Sequence, residues 1–349
     1  MGKQTMSSIE PLSDELGYAH ELMQRHLYDD AINWLTARRR QRADERLELL
    51  LALCRYRAYL VRPPVPAIVD PWPIEPVDLF ADVPGVPEIS ADKLDVGALA
   101  AGIRHHGALL VRGLLPAVVA SKLADGVRQA LAACEAWRER GEGPFDNSWY
   151  SRLPLQEGCE LAQARPWVEG TGGVWLADSP RMLYELTELF GSSGIAGMVA
   201  EYFGEPSMLS VGKSTLRCVP ATIHHTDWHQ DGAFMGADIR SVNVWLALSH
   251  CGEDASGLEL LPRRVPRIVP TGSHGATFDW SVGPGMVTEV ANGVATTSPV
   301  FAPGDALLFD HFFLHRTGIP AALAKDRYAI ESWFFAPSAY PAGQVPLKF

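Results

Sequence analysis

Two histidines and one aspartate are spaced in this chain so that they can bind a single metal ion. His229 and Asp231 flank Gln230, and on an extended segment side chains two apart point in the same direction. Both can therefore chelate one metal while Gln230 faces away. His315 follows an apolar run that predicts a buried strand, so it can supply a rigid third ligand. Two imidazoles and a carboxylate on one face form a typical ligand set for ferrous iron.

The third ligand has one competitor in the sequence. His311 shortly precedes His315 and can share its strand face. We favour His315 because it precedes a Thr-Gly turn, which leaves the hydroxyl of Thr317 free to hydrogen-bond a co-substrate. His224 and His225 lie near the metal motif, but adjacent strand residues point in opposite directions, so at most one of them can reach the pocket.

Three protein ligands leave three positions of octahedral iron open, enough for a bidentate 2-oxo acid and dioxygen. Arg327 meets the remaining requirement of a 2-oxoglutarate site, because a planar guanidinium pairs with the desolvated distal carboxylate through two parallel hydrogen bonds. It begins a segment, 327–335, whose β-branched and aromatic residues predict a strand. We expect this strand to lie beside the one that carries His315.

Several separated stretches follow the motif order of a known family. They are residues 107–115, 228–232, 244–248, 255–262 and 304–318, followed by Arg327. With these stretches, which span most of the chain from about residue 95 to 335, the sequence resembles the phytanoyl-CoA dioxygenase family of iron(II)/2-oxoglutarate oxygenases. It departs from the family pattern after Pro262, where Arg263 and Arg264 intervene before a Gly-Ser-His that occurs only later.

The resemblance implies a mainly β fold with helical additions (α+β), built on a double-stranded β-helix of the jelly-roll or cupin-like type. It implies that His229, Asp231 and His315 bind iron and that Arg327, helped by Thr317, binds 2-oxoglutarate. Trp245 falls where the family often places an aromatic residue near the co-substrate, although an ordinary core tryptophan explains it as well. The implied reaction uses dioxygen to hydroxylate a small-molecule or lipid-like metabolite, free or bound to coenzyme A or a carrier, with release of succinate and carbon dioxide.

Other functions stay open from the sequence. The same site can give desaturation, ring formation or epimerisation, depending on how the substrate is held. Halogenation is disfavoured, because related halogenases replace the carboxylate that Asp231 provides here. A non-oxygenase metal enzyme, such as a lyase or isomerase in which Arg327 pairs with a buried acid, is the main alternative. A catalytically silent scaffold that binds partners through its N-terminal helices is another.

The substrate pocket is less well defined than the metal site. Three arginines, Arg263, Arg264 and Arg267, can meet a phosphate or carboxylate locally. Several aromatic residues are candidates for an apolar pocket lining, although a barrel core also explains them: Trp228, Phe234, Trp280, Phe312 and Phe313.

Three regions are predicted along the chain. Residues 1–62 form a helical N-terminal extension, because apolar residues recur there at helical spacing, and this extension is a candidate homodimer contact. A proline-rich connector follows at 63–94, and the double-stranded β-helix domain occupies 95–349. Within that domain, helices are predicted near 118–133 and 179–203.

Composition agrees with a small-molecule enzyme. The chain has 349 residues, 47% of them hydrophobic, enough for a substantial core. A formal net charge of −11 argues against nucleic acid as a partner. Five cysteines without paired spacing favour reduced thiols and a cytoplasmic protein. Neither a secretory signal nor an apolar run of membrane-spanning length is present, so no membrane partner is expected.

Overall fold

The structure, a computed structural model, describes residues 10–61, 76–140, 147–156, 165–341 and 346–349. Its helices are α1 (Glu10–Gln24), α2 (Tyr28–Gln41), α3 (Glu45–Leu60), α4 (Val96–Ala101), α5 (Ala117–Arg140), α6 (Arg165–Gly170), α7 (Pro180–Ser192), α8 (Ile195–Phe203), α9 (Gly232–Met235) and α10 (Pro284–Ala291). Its strands are β1 (Glu88–Ser90), β2 (Ala108–Arg112), β3 (Gly173–Trp175), β4 (Met208–Leu209), β5 (Thr215–Val219), β6 (Ser241–Ala247), β7 (Gly257–Leu260), β8 (Ala306–Phe309), β9 (His315–Gly318), β10 (Arg327–Phe335) and β11 (Leu347–Lys348).

The larger of two sheets has the order β1-β2-β8-β6-β10-β4-β11, and β5 and β3 extend it beside β10. All of its pairs are antiparallel except β1 with β2. One edge of β10 pairs with β6, whereas the other edge is shared by β5 and β4. The turn between β4 and β5 therefore interrupts the strand that runs along β10, and such interruptions can redirect a side chain beside a functional site.

Alternating side chains of the large sheet face two different cores. On β8, Leu308 packs in a cluster with residues of helices α4, α5, α7 and α8, whereas Leu307 and Phe309 belong to the cluster on the opposite face. The other strands show the same alternation, as Trp245 and Leu246 do on β6. Because side chains alternate along a strand, every second residue of β6, β8 and β10 points towards the interior of the barrel.

The smaller sheet contains β7 and β9, which pair antiparallel. Isolated bridges extend it on both sides, because His229 pairs with His315, Trp228 with Val282, and Leu260 with Thr297. Two facing sheets of this kind form a double-stranded β-helix with helical additions, so the predicted fold class is confirmed.

The expected neighbourhood of the two site strands is wrong. The strand that carries His315, β9, belongs to the small sheet, whereas the strand that begins at Arg327, β10, lies in the large sheet. Successive strands in a double-stranded β-helix cross from one sheet to the other, so closeness in sequence does not make them sheet neighbours. The bounds predicted for the arginine strand, 327–335, match those of β10.

The Gly-Asp pair before β8 has a clear structural reason. Gly304 has a φ of 97°, and a Cβ at this position would lie 2.1 Å from the carbonyl oxygen of Leu115. The carboxylate of Asp305 accepts hydrogen bonds from the backbone N–H of Gly113 and from Arg112, at 2.8 and 2.7 Å. These contacts tie the start of β8 to the end of its neighbour β2.

The N-terminal helices pack against the barrel domain. Residues of α1, α2 and α3 form one cluster that also includes Tyr184 of α7, and Arg55 donates to the backbone oxygen of Lys348 in β11 at 3.0 Å. Of the predicted connector, residues 63–75 lie outside the described residues, while β1, which falls within the rest of it, pairs in parallel with β2. The proposed domain boundary therefore stays a prediction, as does dimerisation through the helices.

Three further expectations concern the helices, the cysteines and the membrane. Helices are present where they were predicted, although α7 and α8 replace one segment because Gly194 between them has a φ of 80°. Four of the five cysteines are free thiols, namely Cys54, Cys134, Cys218 and Cys251, and Cys159 lies outside the described residues. Among the helices that the structure describes, none is both long and apolar enough to span a membrane.

Candidate metal and co-substrate site

His229 and His315 are direct cross-strand partners in the small sheet. The backbone N–H of each donates to the carbonyl oxygen of the other, at 3.0 and 3.1 Å. Residues that face each other in an antiparallel pair have side chains on the same face of the sheet. Their ring centroids accordingly lie 4.5 Å apart, and both rings line the central cavity.

Asp231 reaches the same face by a different route. The extended segment ends after Gln230, and Asp231 adopts helical backbone angles at the start of α9. Gln230 is fully buried and points away, because its amide donates to the carbonyl of Phe312 and accepts from the backbone N–H of Val269, at 2.6 and 2.8 Å. These bonds anchor the motif on both sides of the aspartate.

The three candidate ligands converge, and both imidazoles are held in the tautomer that suits a metal. Their ligand atoms all lie within 4.8 Å of one another. The Nδ1 atoms of His229 and His315 lie 3.1 and 3.0 Å from backbone carbonyl oxygens, of Asp227 and Phe313 respectively. Because a carbonyl can only accept, each Nδ1 carries the proton and each Nε2 keeps its lone pair for a metal. The donor set therefore fits ferrous iron.

Burial and neighbouring charges shift the pKa values of His315 and Asp231 towards their metal-binding protonation states. Burial lowers the pKa of His315 to about 4, so its imidazole is neutral at neutral pH. Burial alone would raise the pKa of Asp231, but the neighbouring charges, Lys213 first, hold it at about 2. Neutral imidazoles and an ionised carboxylate are the forms that bind metals.

The competing histidines have other partners. Both ring nitrogens of His311 are used, since Nδ1 lies 2.9 Å from the hydroxyl of Ser241 and Nε2 lies 3.1 Å from the carbonyl oxygen of Ala237. His311 is not part of the three-residue group. His225 lines the outer cavity, whereas His224 is not among its lining residues.

Arg327 is a buried cation that points into the cavity. Its side chain is about 2% exposed, and its one hydrogen bond among the described residues is from Nη1 to the carbonyl oxygen of Gly257, at 2.8 Å. Its Nε is buried without a partner, and it forms no ion pair with a carboxylate in the described part of the chain. Burial accordingly lowers its pKa. A buried guanidinium with unused donors fits the carboxylate of a bound 2-oxo acid.

Trp245 and Thr317 both line the cavity that contains Arg327. Trp245 is buried beside Arg327, whose guanidinium carbon lies 5.5 Å from the ring centroid, and it contacts Phe301 edge-on. Thr317 lines the same cavity, and its backbone oxygen accepts a hydrogen bond from Thr226 at 2.7 Å. Their contacts with a co-substrate stay predictions.

Lys213 is a site residue that the sequence did not reveal. It lies in the turn between β4 and β5, is about 2% exposed, and donates through Nζ to Oδ1 of Asp231. The turn is fixed because the backbone N–H of Lys213 donates to the hydroxyl of Ser210, and the N–H of Ser210 donates to the carbonyl of Trp333. No local motif marks this lysine, since its contact with Asp231 exists only in the folded chain.

The cavity that contains these residues has a volume of about 620 Å³, within the range of small-molecule sites. Of the predicted lining aromatics, Phe234 and Trp280 are among its walls, whereas Trp228, Phe312 and Phe313 are not. The sequence also missed Trp167, Arg217, Phe278 and Glu331, which line its outer part. Of these four residues, only Glu331 could have been predicted from the sequence, because its spacing from Arg327 places both side chains on the same face of the strand.

The three arginines considered for anion binding do not line this cavity. Arg263 donates from Nη1 to the carbonyl oxygens of Val290 and Ala291, both at 3.1 Å. Arg264 forms an ion pair with Asp310 at 2.7 Å. These side chains stabilise the loops around the barrel.

Fold and site together define a class of protein: a double-stranded β-helix whose interior carries two histidines, one carboxylate and a buried arginine. Comparisons with known proteins add the following. No protein-family model matches the chain, and no curated protein matches its sequence at a significant level.

Solved structures resemble the fold. EctD from S. alaskensis, solved with 2-oxoglutarate and 5-hydroxyectoine, superimposes with a TM-score of 0.47 and 16% identity over 69% of this chain and 74% of its own. The non-heme alpha ketoglutarate dependent carbocyclase SnoK from nogalamycin biosynthesis gives 0.46 and 13% over 71% and 86%. EvdO2 from Micromonospora carbonacea var. aurantiaca, complexed with 2-oxoglutarate, gives 0.41 and 17% over 71% and 90%. Because these values are low, the functional assignment rests on the site itself.

Proposed function

We propose that the chain is a non-haem iron(II)/2-oxoglutarate-dependent dioxygenase that hydroxylates a small molecule. The observation that carries the proposal is the buried guanidinium of Arg327, which forms no ion pair among the described residues. It lines the same cavity as His229, Asp231 and His315. A metal site alone would not need this cation. A co-substrate with a carboxylate at each end accounts for both features.

The described residues divide the work of binding. His229, Asp231 and His315 would hold the metal through two Nε2 atoms and one carboxylate oxygen. Arg327 would bind the distal carboxylate of 2-oxoglutarate, with Trp245 packed against the co-substrate and the hydroxyl of Thr317 donating to it. Iron, 2-oxoglutarate and dioxygen together supply an oxidant for a C–H bond, and 2-oxoglutarate leaves as succinate and carbon dioxide.

The protein's further contribution is to exclude water and to orient the substrate. Most of the cavity wall is apolar or aromatic, and an oxidising site needs such a wall to protect its reactive state. Hydroxylation is the default outcome, while desaturation, cyclisation and epimerisation require the substrate to be held differently at the same site. Product analysis by mass spectrometry separates these reactions.

The first experiment is an anaerobic titration of iron(II) and then 2-oxoglutarate into the purified protein. We expect a weak visible charge-transfer band to appear on addition of 2-oxoglutarate. The band should be lost in Arg327→Ala and in His315→Ala, for different reasons: the first variant still binds iron, and the second does not. Arg263→Ala is the matched control, because this half-buried arginine only bonds backbone carbonyls away from the cavity.

The outcome also decides about the alternative enzyme class. If iron binds but no band appears, the ligand set is real and the 2-oxoglutarate assignment is wrong. A lyase or isomerase would then be the better description. If the band appears, formation of succinate in air, measured in equal amount to the product, completes the test.

A further inference from the structure

Four aromatic side chains form one wall of the outer cavity, here called the aromatic wall: Trp167, Phe234, Phe278 and Trp280. Trp280 is at its centre, with Phe278 stacked parallel at 5.3 Å between ring centroids, Phe234 at 5.7 Å and Trp167 edge-on at 6.1 Å. Phe278 and Trp167 are nevertheless 45% and 48% exposed. A contiguous exposed aromatic surface at a cavity mouth is typical of a ligand-binding face.

The aromatic wall continues to the metal site. The ring of Trp280 lies 6.5 Å from the ring of His229, and Phe234 lies 6.4 Å from it. A ligand packed on Trp280 would therefore have its near edge at the candidate metal ligands. This continuity makes the wall part of the substrate site, since a separate surface patch would not reach the reacting centre.

The charged groups of the cavity balance one another. Among the described lining residues, three are cationic and three are anionic: Lys213, Arg217 and Arg327 against Asp227, Asp231 and Glu331. The two positive charges of ferrous iron and the two negative charges of 2-oxoglutarate would also cancel.

Pairing within the cavity follows the same balance. Lys213 is paired with Asp231, and Nε of Arg217 lies 3.5 Å from Oε1 of Glu331. Nη1 of Arg217 also donates to the hydroxyl of Thr171 at 3.0 Å. After Arg327 has bound the co-substrate, no described lining cation is left without a partner. A charged substrate would thus be desolvated without compensation, which is costly.

We infer that the substrate is an uncharged molecule with a flat ring system that stacks on Trp280 and Phe278. The inference rests on the proposed oxygenase function and deepens it. It argues against a coenzyme A thioester as the bound form, because several phosphates would need clustered cations at the cavity mouth. Arg217, the lining cation of the outer cavity in the described residues, is already engaged by Glu331.

The test compares three probes of similar size by calorimetry: 2-naphthol is flat and neutral, 2-naphthoate is flat and anionic, and trans-2-decalol is neutral but not flat. They are titrated anaerobically into the full-length protein loaded with iron(II) and 2-oxoglutarate. We expect 2-naphthol to bind about tenfold more tightly than 2-naphthoate, since an unpaired carboxylate is costly to bury. It should bind about fivefold more tightly than the decalol, since ring stacking adds to area burial.

Variants assign the preference to the aromatic wall. Trp280→Leu keeps an apolar side chain but removes the flat ring, so it should abolish the preference for 2-naphthol over the decalol. Trp34→Leu, a similarly half-buried tryptophan in the N-terminal helices, is the matched control and should leave all three affinities unchanged. Equal or tighter binding of 2-naphthoate, no binding of 2-naphthol, or an unchanged preference in Trp280→Leu would each overturn the inference.

Failure of the oxygenase function gives a different result. The charge-transfer band is measured before any probe is added, so its absence counts against the proposed function. The same three probes are also titrated into the protein without iron and 2-oxoglutarate. The affinity of 2-naphthoate should rise under this condition, because Arg327 is then free to bind its carboxylate. A preference for 2-naphthol over the decalol that persists there supports a flat-ring ligand for the cavity, whichever reaction the site performs.

Discussion

Lys213 holds one carboxylate oxygen of Asp231 and leaves the other facing the histidines. Its Nζ donates to Oδ1, whereas Oδ2 lies 3.9 Å from Nε2 of His315. Asp231 is therefore arranged to bind a metal through one oxygen only. This arrangement preserves the open metal positions that a bidentate co-substrate and dioxygen would need.

Replacing Lys213 with methionine should separate metal binding from co-substrate binding. In Lys213→Met the freed Oδ1 can also bind the metal, and a nearby positive charge is removed, so iron affinity should be unchanged or higher. The affinity for 2-oxoglutarate should fall about tenfold, because a carboxylate that binds through both oxygens occupies a metal position that the co-substrate needs. This size is at the lower end of the losses in metal affinity or activity that follow removal of a group that orients a metal ligand. Anaerobic titration measures both constants, and Lys213→Arg, which keeps the charge, is the control. Weaker iron binding with normal 2-oxoglutarate binding would contradict this role.

Arg327 should lower the stability of the protein in the absence of its co-substrate. Burial disfavours its charged form, and an unpaired buried cation is replaced favourably by an apolar side chain. We expect Arg327→Met to be more stable by about 1 kcal/mol in urea unfolding of the ligand-free protein.

The order should reverse when iron and 2-oxoglutarate are present. At a 2-oxoglutarate concentration one hundred times its Kd, the parent protein should gain about 2.7 kcal/mol. Arg327→Met should gain nothing from 2-oxoglutarate. A variant that is destabilised under both conditions would mean that the arginine has a structural role in the barrel.

His311, which lies after β8, and His315, which begins β9, should differ sharply in their effect on iron binding. His315→Ala should abolish tight iron binding, because it removes one of three ligands. His311→Gln should keep it, because His311 only bonds Ser241 and the carbonyl of Ala237 and glutamine can replace part of those bonds. Iron content after anaerobic desalting measures the difference. Loss of iron in both variants, with unfolding curves unchanged, would return His311 to the list of ligands.

How far the sequence could predict the site depended on whether a residue's role is visible in its own segment. His229 and Asp231 lie two apart on an extended segment, and Arg327 begins a strand whose bounds were predicted correctly. Lys213 has no such signal, because its partner is contributed by a distant part of the chain.

The fold shows the same division. The strands and the helices follow from periodicity and composition, which are local properties of the sequence. The placement of β9 and β10 in different sheets depends on how the chain crosses between them, and local pattern does not record that crossing. For the same reason Phe278 and Trp167 were not predicted to line one cavity, although each was visible as an aromatic residue.

The N-terminal helices form several ion pairs with the barrel domain. Two of these pairs differ in burial, and this difference gives a final prediction. Glu48 of α3 is fully buried and accepts hydrogen bonds from Arg39 of α2 and from Arg181 of α7, the latter at 2.6 Å. Glu188 of α7 pairs with Arg40 of α2, but this pair is exposed to solvent.

Glu48→Ala should cost about 3 kcal/mol of unfolding free energy, because Arg181 loses its carboxylate partner and Arg39 keeps only the longer contact with Glu185. Glu188→Ala removes the solvent-exposed pair between α7 and α2 and should cost less than about 1 kcal/mol. Urea unfolding followed by circular dichroism measures both. A small and equal loss of unfolding free energy in the two variants would contradict this role of Glu48. Apolar contacts such as those of Tyr184 would then be sufficient to hold the helices in place. A large loss in Glu48→Ala alone would instead make the helical extension a part of the same cooperative unit as the barrel.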